Sequence, residues 1–232
     1  MRSAFTLVEM LVVIVIIAVL MTAGTIGLSG MSGKGVTSGV ALSESLFDEA
    51  RTTAVSRNIR SCVLLAKTLS NKPDQDLRRM VVAYEEVDAN GVPKSSADQD
   101  PKWVLTSRGG VLPDQVYFSA KYSKKNHAVG GEAIREISDE RIKDVKIEFK
   151  GVYYIYEFND QGISKTPGAS FIIGSGSRNT SQPATAQPPR VISAGKRDFG
   201  GFIIWRNGRT SLFRSPEQMG SAMKSLKPGA IF

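Results

Sequence analysis

The chain has 232 residues, a formal net charge of +8 at pH 7, one cysteine and one histidine. A single cysteine excludes an internal disulfide, and a single histidine excludes a multi-histidine metal site and argues against a Cys/His nucleophile system. The positive charge permits an acidic partner, such as nucleic acid or anionic lipid, without requiring one.

The N-terminal stretch predicts a membrane helix that contains one carboxylate. Residues 5–23 are apolar except for Thr6, Glu9 and Thr22. About 19 residues at about 1.5 Å each span a bilayer core. A charge in hydrocarbon costs roughly 2.5 to 3.5 kcal/mol, so Glu9 calls for a compensating cation. A cleaved secretory signal fits poorly, because its basic part would be Arg2 alone and its apolar run would be too long. A plain anchor explains the length and orientation but not Glu9.

These residues resemble the type IV pilin and type II secretion pseudopilin superfamily, whose prepilin methylation motif has a short basic leader followed by Phe-Thr-Leu-Val-Glu. Here the leader is residues 1–4 and the motif is residues 5–9. The resemblance implies cleavage between Ala4 and Phe5 by a prepilin peptidase, N-methylation of Phe5, and pairing of Glu9 with the Phe5 amine of a neighbouring subunit. Ala4 departs from the family, which usually has Gly before the cut.

The fold implied is α+β and type IV pilin-like, with a long N-terminal helix on an antiparallel sheet domain. The helix would cover residues 5–58, with a membrane part over about 5–27. Glycines are dense over residues 24–39, which is either a linker or a stretch where the helix extends or unwinds. An amphipathic part follows over residues 36–58. Its apolar stripe consists of Val36, Val40, Phe47, Ala50 and Ala54, with Leu46 beside it.

Residues 59–232 predict a globular β-rich domain. Strands are expected at 62–66, 80–87, 103–106, 115–120, 145–149, 152–158, 169–173, 201–206 and 210–213. Turns are expected at 88–91, 149–151 and 159–162, and a two-residue hairpin turn is expected at Asn207-Gly208. Residues 175–196 are polar and rich in proline, and predict an exposed loop. A short helix is expected over 215–224.

The remaining residues give no sign of catalysis. Asp88, Asn90, Asp98 and Asp100 carry oxygen ligands, but their spacing favours a solvated acidic loop over a calcium site. Cys62 lies in an apolar run and is expected to be a small buried hydrophobe, and His127 is expected to be an exposed loop residue. The sequence therefore predicts no enzyme, no cofactor and no metal site.

A second resemblance concerns the C-terminal half. Residues 158–162 and 202–209 are similar to the H-type (GspH/FimT-like) minor pseudopilins and minor pilins, and the opening also resembles the Verru_Chthon cassette protein D family. Some FimT-like proteins bind DNA through a Gly-Arg-x-Arg tract. Gly208 and Arg209 match it here, but Ser211 replaces the second Arg.

The resemblances imply a non-catalytic minor pseudopilin of a type II secretion or type IV pilus-like fibre. It would pass once through the inner membrane with a cytoplasmic N-terminus and a periplasmic domain. Its partners would be other pilin-like subunits, the prepilin peptidase, the assembly machinery and the lipid bilayer. One alternative is an anchored structural protein outside any fibre.

Another alternative is a DNA-binding minor pilin. In that case the DNA phosphates would be bound by Arg206, Arg209, Arg214, Lys224 and Lys227. Trp205 and Phe213 would either stack on bases or pack in the core, and hairpin alternation favours the core.

Overall fold

The computed structural model describes residues 10, 12–16, 32–96, 99–129, 131–191, 198–213 and 231–232. Residues 10 and 12–16 are helical and exposed. Across the described ranges, no helix combines the length and the apolar character that crossing a bilayer requires. The leader, Glu9, most of the expected membrane helix and the expected helix at 215–224 lie outside the described residues.

Helix α1 runs over Ser32–Arg57 and carries the predicted apolar stripe. Phe47, Ala50 and Ala54 are fully buried, whereas Val55 is half exposed. The helix ends because Asn58 adopts a left-handed conformation with φ of 51°. This turn lets the Ile59 N–H bond to the Ala54 carbonyl at 3.2 Å, which closes the last turn of the helix.

Within the described part of the glycine-rich stretch, the chain is helical and not unwound. Gly33, Gly35 and Gly39 all lie inside α1. A Cβ at Gly39 would come within 2.9 Å of Ile173 Cδ1 and 3.4 Å of Leu112 Cδ2. The glycine therefore lets the helix backbone approach the sheet closely, which offsets its low helix propensity.

Ten strands, counted over the described residues, form two sheets. The six-stranded sheet has the order β5-β7-β1-β2-β3-β6 and the four-stranded sheet has the order β10-β9-β8-β4. All pairs are antiparallel except β3–β6, which is parallel. The strands are β1 Ser61–Leu69, β2 Arg79–Glu85, β3 Trp103–Val111, β4 Val116–Phe118, β5 Glu136–Ser138, β6 Ile142–Lys143, β7 Gly151–Phe158, β8 Ala169–Ser175, β9 Phe199–Ile204 and β10 Thr210–Phe213.

One predicted strand is wrong and two short strands were not predicted. Residues 145–149 contain a 3₁₀ turn, Ile147–Phe149, with Ile147 71% exposed. The backbone here bonds locally and not to a neighbouring strand, since the Phe149 N–H donates to the Lys146 carbonyl at 2.8 Å. The Phe149 ring packs under Arg79, whose Cζ lies 3.8 Å from the ring centroid. Strands β5 and β6 have three and two residues, too few to show a period of two.

Two apolar cores lie on opposite faces of the six-stranded sheet. The larger one contains the stripe of α1 and the inner faces of both sheets, with Phe47 and Phe171 at its centre. The smaller one contains Cys62 and Trp103 and is covered by the segment that carries β5 and β6. Cys62 is fully buried there, as predicted, and burial raises its pKa well above the ordinary value.

Most of the described residues in the predicted exposed loop, 175–196, are exposed, but the segment also makes buried contacts. The Arg178 side chain is fully buried, and its Nη1 donates to the Pro73 carbonyl at 2.7 Å. The buried Asp76 carboxylate accepts the Ala184 N–H at 2.9 Å. These contacts tie the loop to the 3₁₀ turn Pro73–Gln75. Composition did not reveal them, because the buried polar groups find their partners about 100 residues away.

Candidate functional site

The residues implied in processing and assembly, Ala4, Phe5 and Glu9, lie outside the described residues. The described residues do contain the β9–β10 hairpin, where two of the candidate nucleic-acid contacts lie. Arg206 and Arg209 are both exposed at its tip. Arg214 follows β10 and lies outside the described residues.

The hairpin tip has a three-residue loop, which corrects the predicted two-residue turn. The Trp205 N–H donates to the Arg209 carbonyl at 2.9 Å, and the Gly208 N–H donates to the Trp205 carbonyl at 2.9 Å. Gly208 has φ of 73°, whereas Asn207 keeps a negative φ. A two-residue type I′ turn needs positive φ at both positions, so this is a type I turn followed by a glycine bulge.

Long-range contacts to α1 and to the turn after β7 fix the tip in this form. Arg51 Nε donates to the Asn207 carbonyl at 3.0 Å. A Cβ on Gly208 would overlap the Gly162 carbonyl oxygen and come within 2.8 Å of Arg51 Cδ. The two short motifs of the second resemblance, residues 158–162 and 202–209, therefore touch each other. Only glycine combines this close approach with a left-handed conformation at position 208.

A second contact holds the hairpin against the helix about two turns nearer the N-terminus of α1. Thr210 Oγ1 donates to Glu44 Oε1 at 2.6 Å. Glu44 and Arg51 are seven residues apart, so they lie on the same face of α1. Both residues lie off the predicted apolar stripe of the helix. Their partners on the hairpin are more than 150 residues away, so no local pattern could have identified this role.

The two hairpin aromatics have different environments. Phe213 is buried, as predicted, but Trp205 is 44% exposed, so the core prediction is wrong for Trp205. Trp205 Nε1 donates to Ser211 Oγ at 2.7 Å, which holds the indole along the hairpin. His127 packs edge-on against Trp205 with ring centroids 5.7 Å apart. His127 is half-buried, with Nδ1 3.0 Å from the Gly168 carbonyl oxygen, and is not the freely exposed residue expected.

Two carboxylates of the acidic loop, those of Asp88 and Asp100, bond to other groups of the protein. Asp88 Oδ1 accepts the Asn90 N–H at 2.8 Å and a second backbone N–H of the same turn at 2.9 Å. A hydrogen bond from Arg135 lowers the pKa of Asp100, at an N–O distance of 2.7 Å. Asp98 lies outside the described residues. In the described part of the chain, no group of three or more His, Cys, Asp and Glu residues is placed to hold a metal ion.

The comparison with known families concerns the N-terminal segment. Residues 1–25 match the family model of the prokaryotic N-terminal methylation motif. The chain carries the prepilin-type N-terminal methylation motif, which confirms the resemblance seen in residues 1–9 for this segment. The motif implies a membrane-anchored N-terminus that is processed at the membrane.

Comparison of the sequence with curated proteins gave no match. Among solved structures, the type IV minor pilin FimU of Pseudomonas aeruginosa PAO1 is similar at 12% identity, with a TM-score of 0.35. The alignment covers 77% of the present 232-residue chain and 88% of the FimU chain.

Proposed function

We propose that the chain is a minor pseudopilin, a non-catalytic subunit of a type II secretion or type IV pilus-like fibre. The methylation motif over residues 1–25 is the observation that carries the proposal. The proposal includes the division of the chain into a leader of residues 1–4, a helix over 5–58 and a globular part over 59–232. It also includes a single pass through the inner membrane with the globular part in the periplasm.

The first step of the proposal is processing at the membrane. The peptidase cuts between Ala4 and Phe5, and the new Phe5 amine is methylated. Intact-mass measurement and N-terminal sequencing of protein extracted from membranes test this step. The expected product begins at methylated Phe5 in cells with an active prepilin peptidase and at Met1 in cells without it. Retention of residues 1–4 in both strains would refute it.

The second step is assembly through Glu9. Its carboxylate pairs with the Phe5 amine of the neighbouring subunit, and removing one partner of a buried pair costs roughly 3 to 5 kcal/mol. Glu9→Ala also removes the cost of burying a charge in the bilayer. The variant should therefore insert at least as well as wild type and fail to join the fibre.

Membrane fractionation measures insertion of the Glu9→Ala variant, and crosslinking to the other pilin-like subunits measures assembly. Thr22→Ala is the control, because it removes a polar group from the same apolar run without removing a charge. Normal crosslinking of Glu9→Ala would contradict the role of Glu9 in assembly. Absence of crosslinking in the wild-type protein would favour the alternative of an anchored structural protein outside any fibre.

A second candidate function is nucleic-acid binding at the hairpin tip. The exposed Trp205 indole beside the exposed Arg206 and Arg209 is the observation that favours it. An aromatic face next to two cations suits stacking on a base with phosphate contacts on either side. The missing second Arg at Ser211 and the hydrogen bond that orients Trp205 along the hairpin weigh against it.

Binding of a single-stranded DNA oligonucleotide, measured at several salt concentrations, tests this candidate. Arg206→Ala combined with Arg209→Ala should weaken binding and reduce the slope of log K against log salt by about 1.4, since each single-strand phosphate contact contributes about 0.7. The matched control is Arg108→Ala with Lys150→Ala, which removes two exposed charges elsewhere. Equal losses in both pairs would indicate a general charge effect and reject the hairpin as a site.

A further inference from the structure

The loop that follows β8 carries a sequence signal that the proposed function does not use. In Asn179-Thr180-Ser181, an asparagine is followed two residues later by a hydroxyl, with no proline between them. The chain has seven asparagines, and only Asn179 has Ser or Thr at that spacing. This acceptor triplet is what N-linked glycosylation of exported proteins requires. Because the triplet also arises by chance, its placement in the fold decides whether it can act.

The acceptor triplet lies in a loop whose base is closed. Ser177 and Arg190 exchange two backbone hydrogen bonds of 2.8 Å. Just inside this bridge, the fully buried Arg178 side chain donates to the Gln182 carbonyl and, at 2.7 Å, to the Pro73 carbonyl. Residues 179–181 therefore form a short bend whose two ends are tied down.

The bend itself faces solvent. Asn179, Thr180 and Ser181 are all exposed, although the Arg178 side chain beside them is buried. The Ser181 N–H donates to Asn179 Oδ1 at 3.0 Å, and the Gln182 N–H donates to the Asn179 carbonyl at 3.4 Å. The first bond uses the amide oxygen of the side chain and not its nitrogen, which is the atom that a glycan joins. It also fixes Ser181 beside Asn179, as recognition of the whole triplet requires.

We propose that Asn179 is an acceptor for an N-linked glycan. Asn179 Nδ2 forms a bond to the anomeric carbon of an oligosaccharide carried on a lipid diphosphate. The bond from that carbon to the diphosphate oxygen breaks, the lipid diphosphate leaves with the electron pair, and one amide proton passes to solvent. Such donors are used on the outer side of the inner membrane, so the inference rests on the proposed periplasmic placement of the globular part.

Linkage to a hydroxyl is the rival chemistry in this loop. Thr180, Ser181 and Thr185 are also exposed, and segments rich in Ser, Thr and Pro are typical of O-linked glycosylation. The two linkages depend on different atoms. Nitrogen linkage needs Asn179 and a hydroxyl at position 181, whereas oxygen linkage needs only the hydroxyl that carries the sugar.

Intact-mass measurement of the full chain, extracted from the membranes of its own cells, tests the proposal. The wild-type protein should be heavier than its sequence by one oligosaccharide. Asn179→Gln and Ser181→Ala should each lose the whole increment. Ser181→Thr keeps the triplet and should keep the increment, and Thr180→Ala is the matched control that should also keep it. An unmodified wild-type chain refutes the proposal, and so does an increment that survives Asn179→Gln.

A separate measurement distinguishes failure of the acceptor from failure of the proposed placement. Asn90→Cys puts a thiol on an exposed turn, whereas the native Cys62 is fully buried. A membrane-impermeant maleimide added to intact cells should label this variant and leave the wild-type chain unlabelled. Labelling without a glycan on the wild-type chain refutes the acceptor alone. Absence of both the label and the glycan refutes the periplasmic placement as well.

Discussion

Replacing Phe47 with alanine should separate helix α1 from the sheet domain more effectively than any other single change in the stripe. Phe47 is fully buried and meets four aromatic rings edge-on, with centroid distances of 5.1 Å to Tyr156, 6.3 Å to Phe158, 5.5 Å to Phe171 and 5.0 Å to Phe202. A buried Phe→Ala change costs about 3 to 5 kcal/mol, and edge-on aromatic pairs add about 0.5 to 1.5 kcal/mol each without being additive. We expect a loss at the upper end, about 4 to 5 kcal/mol.

Urea unfolding of the full chain in detergent, followed by tryptophan fluorescence, measures this loss. Buried Trp103 reports the smaller core and half-exposed Trp205 reports the hairpin. With a slope of about 2 kcal/mol per molar urea, the midpoint should fall by about 2 M. Val55→Ala, on the exposed side of the same helix, should change the stability by less than about 0.5 kcal/mol. A midpoint for Phe47→Ala equal to that of Val55→Ala would refute the central role of the ring.

Three further results follow from the charged groups. Hydrogen bonds from Lys94 and Lys143 lower the pKa of Glu86 to about 2, so the contribution of this carboxylate to stability is present above about pH 4.5 and is lost as the pH falls towards 2. In thermal melts from pH 7 to pH 2, the difference in melting temperature between wild type and Glu86→Gln should vanish over that window. A constant difference would contradict this prediction. Arg60 Nε and Nη2 each donate to the buried Glu85 carboxylate at 2.6 Å. Arg60→Met should therefore lower the free energy of unfolding in urea by about 3 to 5 kcal/mol, and Arg60→Met combined with Glu85→Leu should recover most of that loss. A double variant no more stable than Arg60→Met would show that the ion pair itself stabilises the fold. Adding EDTA should leave the melting midpoint unchanged, because Asp88 and Asp100 of the acidic loop already bond to groups of the protein, and a drop of several degrees would reveal a calcium site.

The apolar stripe of α1 and the long strands could be predicted because they are local patterns. Val36, Phe47, Ala50 and Ala54 repeat at the helical period and are all buried. The two helix residues that hold the hairpin, Glu44 and Arg51, have no such pattern. Their partners are a threonine hydroxyl and a backbone carbonyl that only the folded chain brings near.

The β9–β10 hairpin shows that a local sequence signal can mark a turn without specifying its type. Asn207-Gly208 correctly marked a reversal of the chain, but the same dipeptide fits a type I′ turn and a type I turn with a glycine bulge. The choice is made by contacts from outside, since Arg51 binds the Asn207 carbonyl and Gly208 faces the Gly162 carbonyl. Trp205 lies just beyond the last strand pair, Thr210 with Ile204, and strand alternation places its ring on the face opposite the core residue Ile204.

The contacts between α1 and the hairpin also connect the two candidate functions. Helix α1 follows the methylation motif along the chain, and through Arg51 and Glu44 it holds both the turn and the first residue of β10. A subunit fixed in a fibre by its N-terminal segment would therefore present Trp205 and the two arginines in a fixed orientation, because the hairpin is held to the helix at two residues about two turns apart. Loss of either anchor should leave the hairpin paired to β8 through β9 but free its tip. A partner that recognises the tip would then lose the defined orientation, even though each residue it contacts is unchanged.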